Sequence, residues 1–242
     1  MLLEICATSI QSAVNAQQAG AHRIELCSEL AVGGITPSYG LIEQVLKSVN
    51  IPVFVLIRPR SGNFTYTDAE FEVMKSDIEQ YKKMGIHGIV SGVLQKNNTI
   101  DIERTQELIA LSKPLSFTFH RAFDWVENPL EALDQLIKLG VHRILTSGQH
   151  QTAEKGLELL IQLKKIADNQ LTILPGGGIN FENAPLFKQN GFQEIHASAS
   201  SIYDEMETPK ITMNSPAFFD ETKLFHSNTE KIKAILNVIK TT

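Results

Sequence analysis

The side chains of this chain best suited to chemistry are far apart in sequence: Glu4, Cys6, Glu25, Cys27, Arg58, Arg60, His120, Arg121, Asp124, Ser147, His196 and Ser198. If one pocket gathers them, Glu4, Glu25, Arg58, His120, Asp124 and His196 form an acid–base set, the kind found where catalysis or metal binding needs shifted pKa values. Arg58, Arg60 and Arg121 can each clamp a carboxylate or phosphate through paired hydrogen bonds, and Asp124 can instead hold Arg121 or Arg60 in an ion pair. In PGGGIN, residues 175–180, the glycines Gly176, Gly177 and Gly178 let backbone amides approach an anion, and Ser147 in TSGQ adds a small polar contact. A helix expected from about Asn180 would turn its positive end to the same place, although a glycine turn needed only for tight packing fits the composition too. Cys6 and Cys27 suit a soft ion such as Cu(I), or pack as small buried hydrophobes. Two sulfurs do not complete a tetrahedral zinc site without histidine or carboxylate help.

Positioning these residues requires a repeating scaffold, and the hydrophobic pattern supplies one. Short apolar runs at 2–6, 23–27, 53–58, 88–92, 115–120, 143–147, 171–175 and 194–198 alternate with helical periodicity, as at 67–84, 101–112, 128–139 and 152–167. Four related segments, GAHRIELCS at 20, GIHGIVSGV at 85, GVHRILTSG at 140 and GFQEIHASA at 191, precede every second strand. A βαβα quarter repeated four times closes as a ring, which predicts an α/β fold of the TIM type: a (βα)8 barrel with eight parallel strands and a C-terminal helix over 228–240. One domain is expected over 1–242, with the barrel core at about 2–200 and a tail at 201–242.

Superposing the repeats assigns side chains to layers inside the barrel. Arg23, Gly88, Arg143 and Glu194 form the lowest layer, where a structural salt-bridge network is expected. Glu25, Val90, Leu145 and His196 lie above it, and Cys27, Gly92, Ser147 and Ser198 reach the carboxyl mouth. Glu4, Cys6, Leu56, Arg58, Thr118 and His120 share the inward parity, while Ile5, Ile24, Leu26, Ile57, Phe117, Phe119 and Ile144 face the helices. Barrels of this type carry their active sites at the carboxyl ends of the strands, where most of the chemically capable residues fall.

Composition narrows the partners. With 22 Lys+Arg against 27 Asp+Glu, a net charge of −5 and no long basic run, neither nucleic acid nor an anionic membrane surface is expected. No stretch of 18 apolar residues occurs and the start, MLLEICATS, lacks a basic leader, which reads as cytoplasmic. In that reducing compartment both cysteines should be thiols.

The motifs EIC, RIELCSELAVGGITPS, IRPRSGNF, GVLQKNNTID, TFHRAFD, RILTSG, PGGGI and EIHAS resemble the CutC family of copper homeostasis proteins from residue 2 to about 200. The resemblance implies a compact (βα)8 barrel, a cytoplasmic homo-oligomer (dimer or tetramer) and a link to copper, with Cys6 and Cys27 as candidate Cu(I) ligands and His120 or His196 as further donors. Asn63 and the turn Lys96–Asn98 depart from the family pattern, and 201–226 matches it poorly. The residues themselves support a second expectation, a barrel enzyme acting on a phosphorylated or carboxylated small metabolite. There, Glu4 or Glu25 with His120 would be the acid–base groups, the arginines would clamp the anion, and Gly176–Gly178 would cradle it.

Overall fold

Helix stops at regular intervals set the architecture. Gly20, Gly85, Gly140 and Gly191, the first residues of the four sequence repeats, all have positive φ (92°, 85°, 77° and 71°), a conformation glycine adopts without strain. Each turns the chain from a helix into a strand. The computed structural model describes residues 1–205, 207, 210–211, 220 and 222–240.

Eight strands run parallel: β1 (Leu2–Ala7), β2 (Arg23–Leu26), β3 (Val53–Leu56), β4 (Gly88–Ser91), β5 (Ser116–Phe119), β6 (Arg143–Thr146), β7 (Thr172–Pro175) and β8 (Glu194–Ala197). Their spatial order is β7-β6-β5-β4-β3-β2-β1-β8, and a parallel bridge between Gly176 and His196 joins the two ends into a nearly closed barrel. Helices α1 (Ile10–Ala19), α2 (Tyr39–Ser48), α3 (Asp68–Lys83), α4 (Ile102–Ser112), α5 (Pro129–Leu139), α6 (Leu157–Ala167) and α7 (Ala184–Gln189) form the outer layer. Local chemistry fixes their starts: Thr67 and Glu70 make a reciprocal cap on α3, and Asn128 caps α5 ahead of Pro129. Ser38 caps α2, while Thr36 accepts from the Arg58 amide at 2.8 Å.

The expected parity of the strands holds. Ile5, Ile24, Leu26, Ile57, Phe117, Phe119 and Ile144 belong to one apolar cluster between barrel and helices, whereas Cys6, Cys27, Phe54, Leu56 and Val90 form a second, inside the barrel. Phe54 was not anticipated as an inward residue. Its ring fills the space beside Gly88, where an added Cβ would lie 2.5 Å from it.

Two helix starts differ from the sequence expectation. α6 begins at Leu157 rather than 152, because Ala153 donates its amide to Gly177 at 2.9 Å and the backbones of Gly148 and Gly156 pack directly together. No helix begins at Asn180. That residue lies in a turn whose side chain accepts from the amides of Glu182 and Asn183, and the six-residue α7 starts at Ala184.

Helix α8 (Thr229–Lys240) buries Ile232, Ile235, Leu236 and Ile239 and packs beside α1, as expected of an amphipathic C-terminal helix. The preceding tail contributes an antiparallel pair, β9 (Ser200–Glu205) and β10 (Lys223–Ser227). Residues 206, 208–209, 212–219 and 221 of that tail lie outside the described residues.

Candidate functional site

The amino ends of the strands form a charged floor. Arg23 is paired with Glu4 through Nε and with Glu194 through Nη2 at 2.6 Å, and Arg143 reaches the same Glu194 oxygen at 3.0 Å. The two guanidinium groups also lie over the Phe54 ring, at 4.8 and 5.1 Å from its centre. Buried charges persist only when paired in this way. Glu4 had been assigned to the chemistry above this layer, yet its second oxygen alone points upward, 2.8 Å from His196 Nδ1.

Above the floor, Glu4, His196 and Glu25 meet, with ligand-capable atoms all within 4.8 Å of one another. Burial pushes the Glu4 carboxyl upward, but Arg23 and His196 outweigh it and hold it at about 2. Burial alone would discharge His196, yet its bond to Glu4 and the charges of Glu25 and Glu4 raise it above the ordinary histidine value. Glu25 is the opposite case. Burial, aided by the Glu4 charge, exceeds the pull of His196 and Arg23 and lifts its carboxyl to about 7, so it can exchange a proton near neutrality. Its Oε2 has no hydrogen-bond partner among the described residues.

Cys6 and Cys27, brought together from adjacent strands, have their sulfurs 3.4 Å apart and no disulfide. Both are buried, but Cys6 borders the cavity at the mouth. The hydrogen bond with Cys27, burial and the nearby carboxylates of Glu25 and Glu4 raise the Cys6 thiol well above its usual value.

The rim separates the other candidates. Arg58 donates to the carbonyls of Val32, Gly34 and Gly62 at 2.7–2.9 Å, tying the loops after β2 and β3 together. Arg60 points away from the cavity to Glu70 at 2.6 Å, and Asn63 accepts from it at 3.1 Å. Asp124 pairs with Arg121 Nε at 2.8 Å and accepts from the amides of Ser147 and Gln149, while Arg121 Nη2 donates to Ser147 Oγ at 2.7 Å. This arrangement holds the Arg121 guanidinium beside Gly177, where an added Cβ would lie 3.5 Å from its central carbon. His120 is buried next to Arg58, and desolvation with that positive charge lowers its imidazole to about 3.

These groups surround a cavity of about 830 Å³ at the carboxyl ends of the strands, bordered by Cys6, Glu25, His120, Arg121, Gly177 and His196. Arg60 and Gly176 are not on its lining, and Ser147 supports it from behind Arg121. Sequence reasoning missed the apolar side, made by Leu30, Val32, Phe64 and the half-exposed Trp125. The available signal was large apolar residues in loops that follow strands, a position that puts them at the mouth. The arrangement offers a soft sulfur pair, a carboxyl that titrates near neutrality and an anion-facing edge in one space.

Comparison with known proteins agrees with this architecture. The chain is 47% identical over 222 residues to a CutC family protein of Photorhabdus laumondii, covering 90% of this chain and 89% of that protein. It is 42% identical over 243 residues to the human copper homeostasis protein cutC homolog, covering 99% and 89%. A crystal structure of CutC from Streptococcus agalactiae superposes with a TM-score of 0.77 at 36% identity, over 82% of this chain and 98% of that one. The family match itself runs over residues 1–201, the barrel and the first residues of β9, so that the strand-end motifs, the paired cysteines and the glycine loop all fall inside it: the chain belongs to the CutC family.

Proposed function

We propose that this protein serves copper homeostasis by taking up Cu(I) between the sulfurs of Cys6 and Cys27, at the base of the barrel mouth. The observation that carries this reading is the 3.4 Å approach of two free thiols from neighbouring strands, one of them bordering the cavity. Soft thiolates select Cu(I). The neighbouring carboxylates that make the Cys6 thiol hard to ionise also lower the energy of a cation placed beside it, so metal uptake displaces the thiol protons. At about 2.3 Å per metal–sulfur bond, a linear site needs sulfurs about 4.6 Å apart. Uptake therefore requires the pair to part by about 1 Å, or a bent ion with a third donor. Among the described residues the histidine and carboxylates nearby gather as Glu4, Glu25 and His196 rather than around the two sulfurs, so a third donor would come from outside the chain.

The reading takes the reducing cytoplasm as its setting, which keeps both thiols available. It also takes the working form to be a homo-oligomer. Support comes from the exposed apolar residues Ile202, Tyr203, Leu224 and Phe225 of the β9–β10 pair.

An anaerobic Cu(I) competition titration of the wild type beside Cys6→Ser and Cys27→Ser tests the assignment. Tight one-to-one binding abolished by either substitution is the expected result. Binding unchanged by both substitutions would leave the cysteines as packing residues and remove the reading.

A further inference from the structure

The mouth is far larger than a single ion needs, and two residues of its lining hold buried polar atoms without a hydrogen bond among the described residues. His120 is 5% exposed, and its Nδ1 accepts the amide of Ala122 at 3.2 Å, so the proton of the neutral ring sits on Nε2. That N–H has no acceptor among the described residues. Glu25, also 5% exposed, presents the opposite deficiency, an Oε2 acceptor with no hydrogen bond among the described residues, His196 Nδ1 lying 3.8 Å from it. A buried polar group left unpaired is costly, and a ligand that pairs with it offsets that cost. Across the cavity, Arg121 is fixed by Asp124 and Ser147 through Nε and Nη2, and no acceptor holds its Nη1 among the described residues. The amides of Gly177 and Gly178 beside it likewise donate to nothing in the described backbone. Both glycines have positive φ, 104° and 74°. A side chain at 177 would meet Ser147 at 3.3 Å, so the backbone there stays open to a ligand.

We infer that the mouth is a binding site for a small hydroxylated organic anion, whose charged end lies on Arg121 and the amides of Gly177 and Gly178 and whose hydroxyls reach His120 and Glu25. A hydroxyl both donates and accepts, and so suits either orphaned atom. An anion answers the guanidinium and the amides. Phosphate and carboxylate share that chemistry. The apolar side made by Trp125, Leu30 and Val32 covers the carbon skeleton, a contact that an inorganic ion lacks. This site does not use the sulfur pair and stands or falls separately from copper uptake.

The test is a set of amide-resolved NMR titrations of the full chain with three probes: inorganic phosphate, glycerol 3-phosphate and glycerate. Saturable shifts at Gly177 and Gly178 are expected, with glycerol 3-phosphate or glycerate binding at least about tenfold more tightly than inorganic phosphate. Whichever of the two binds more tightly identifies the charged group. Arg121→Ala, at a side chain 44% exposed, should weaken all three by about tenfold without affecting folding. Glu25→Gln should remove the advantage of the hydroxylated probes while leaving inorganic phosphate unchanged. The Cys6→Ser/Cys27→Ser double variant should bind all three as the wild type does. Thermal melts of each variant separate lost binding from lost folding. Equal affinities for the three probes, shifts away from the glycine loop, or indifference to Arg121→Ala in a folded protein would each overturn the assignment.

Discussion

The two ends of the barrel interior use the same residue types to opposite effect. At the floor, Arg23, Glu4, Glu194 and Arg143 hold one another, and only Arg143 Nη1 is left without a partner. At the mouth, Glu25 and His120 keep polar atoms without a hydrogen bond among the described residues, Cys6 is held as a thiol against nearby carboxylates, and the glycine loop offers amides that the described backbone does not use. Glu4, Arg23 and Glu194 of the floor and Glu25, His120 and Cys6 of the mouth are all buried, so burial does not distinguish structure from function among them. Saturation does. A paired buried charge stabilises the fold, whereas an unpaired one is a cost that a ligand or ion can offset.

The comparison is broken most severely at the floor. Arg23→Ala strands Glu4 and Glu194 as uncompensated charges and is expected to cost about 3–5 kcal/mol, read as a fall in the urea midpoint at unchanged slope. A loss under about 1 kcal/mol would show that the floor is not the stabilising network described.

Acidity sharpens the contrast, because the two carboxylates titrate with opposite consequences. Glu4, lowered from 4.5 to about 2, contributes stability that is complete above 4.5 and is lost as pH falls toward 2. Glu25, raised from 4.5 to about 7, does the reverse. As pH rises from 4.5 to 7 the unfolded chain releases its proton first and the folded state loses stability relative to it. Glu25→Gln should therefore gain on the wild type across that window, by on the order of 3 kcal/mol, and level off above it. The measurement is the difference between the two proteins in metal-free urea unfolding, which reads Glu25 together with the change its removal makes at His196 and Cys6 beside it. A difference that stays flat with pH would place Glu25 with the saturated groups.

Smaller effects test the glycine loop and the outer surface. Gly177→Ala forces an L-residue to a φ of 104° against Ser147 and should cost about 1–2 kcal/mol, visible as a lower melting temperature. Lys138→Ala removes an ion pair to Asp134 of 2.6 Å in which both partners are mostly exposed, and should change stability by less than about 0.5 kcal/mol.

The barrel was legible in the sequence because two short periods carry it: alternation along each strand and a glycine at each recurring helix end. Those fix parity, and parity alone placed Arg23, Arg143 and Glu194 in one layer, with Glu25 and His196 above. What the pattern could not give was the use of each polar group. Arg58 and Arg60 look equivalent in IRPRSGNF, yet one ties two loops and the other leaves for Glu70, a residue of α3. Asp124 was open between catalysis and an ion pair, and its bonds to Arg121 and the amides after β6 are tertiary facts. Phe54 could have been read inward, two residues before Leu56, but its role depends on the missing side chain of Gly88 on the next strand. The turn at Asn180 mimics a helix start because asparagine side chains close both kinds of turn.

Copper K-edge X-ray absorption of the Cu(I)-loaded protein tests the proposed uptake most directly. The account predicts two sulfur neighbours at about 2.3 Å, reduced to one or none in Cys6→Ser and retained in Lys138→Ala. A first shell of nitrogen and oxygen alone in the wild type would contradict it, and would leave the thiols as packing at the base of an organic-anion site.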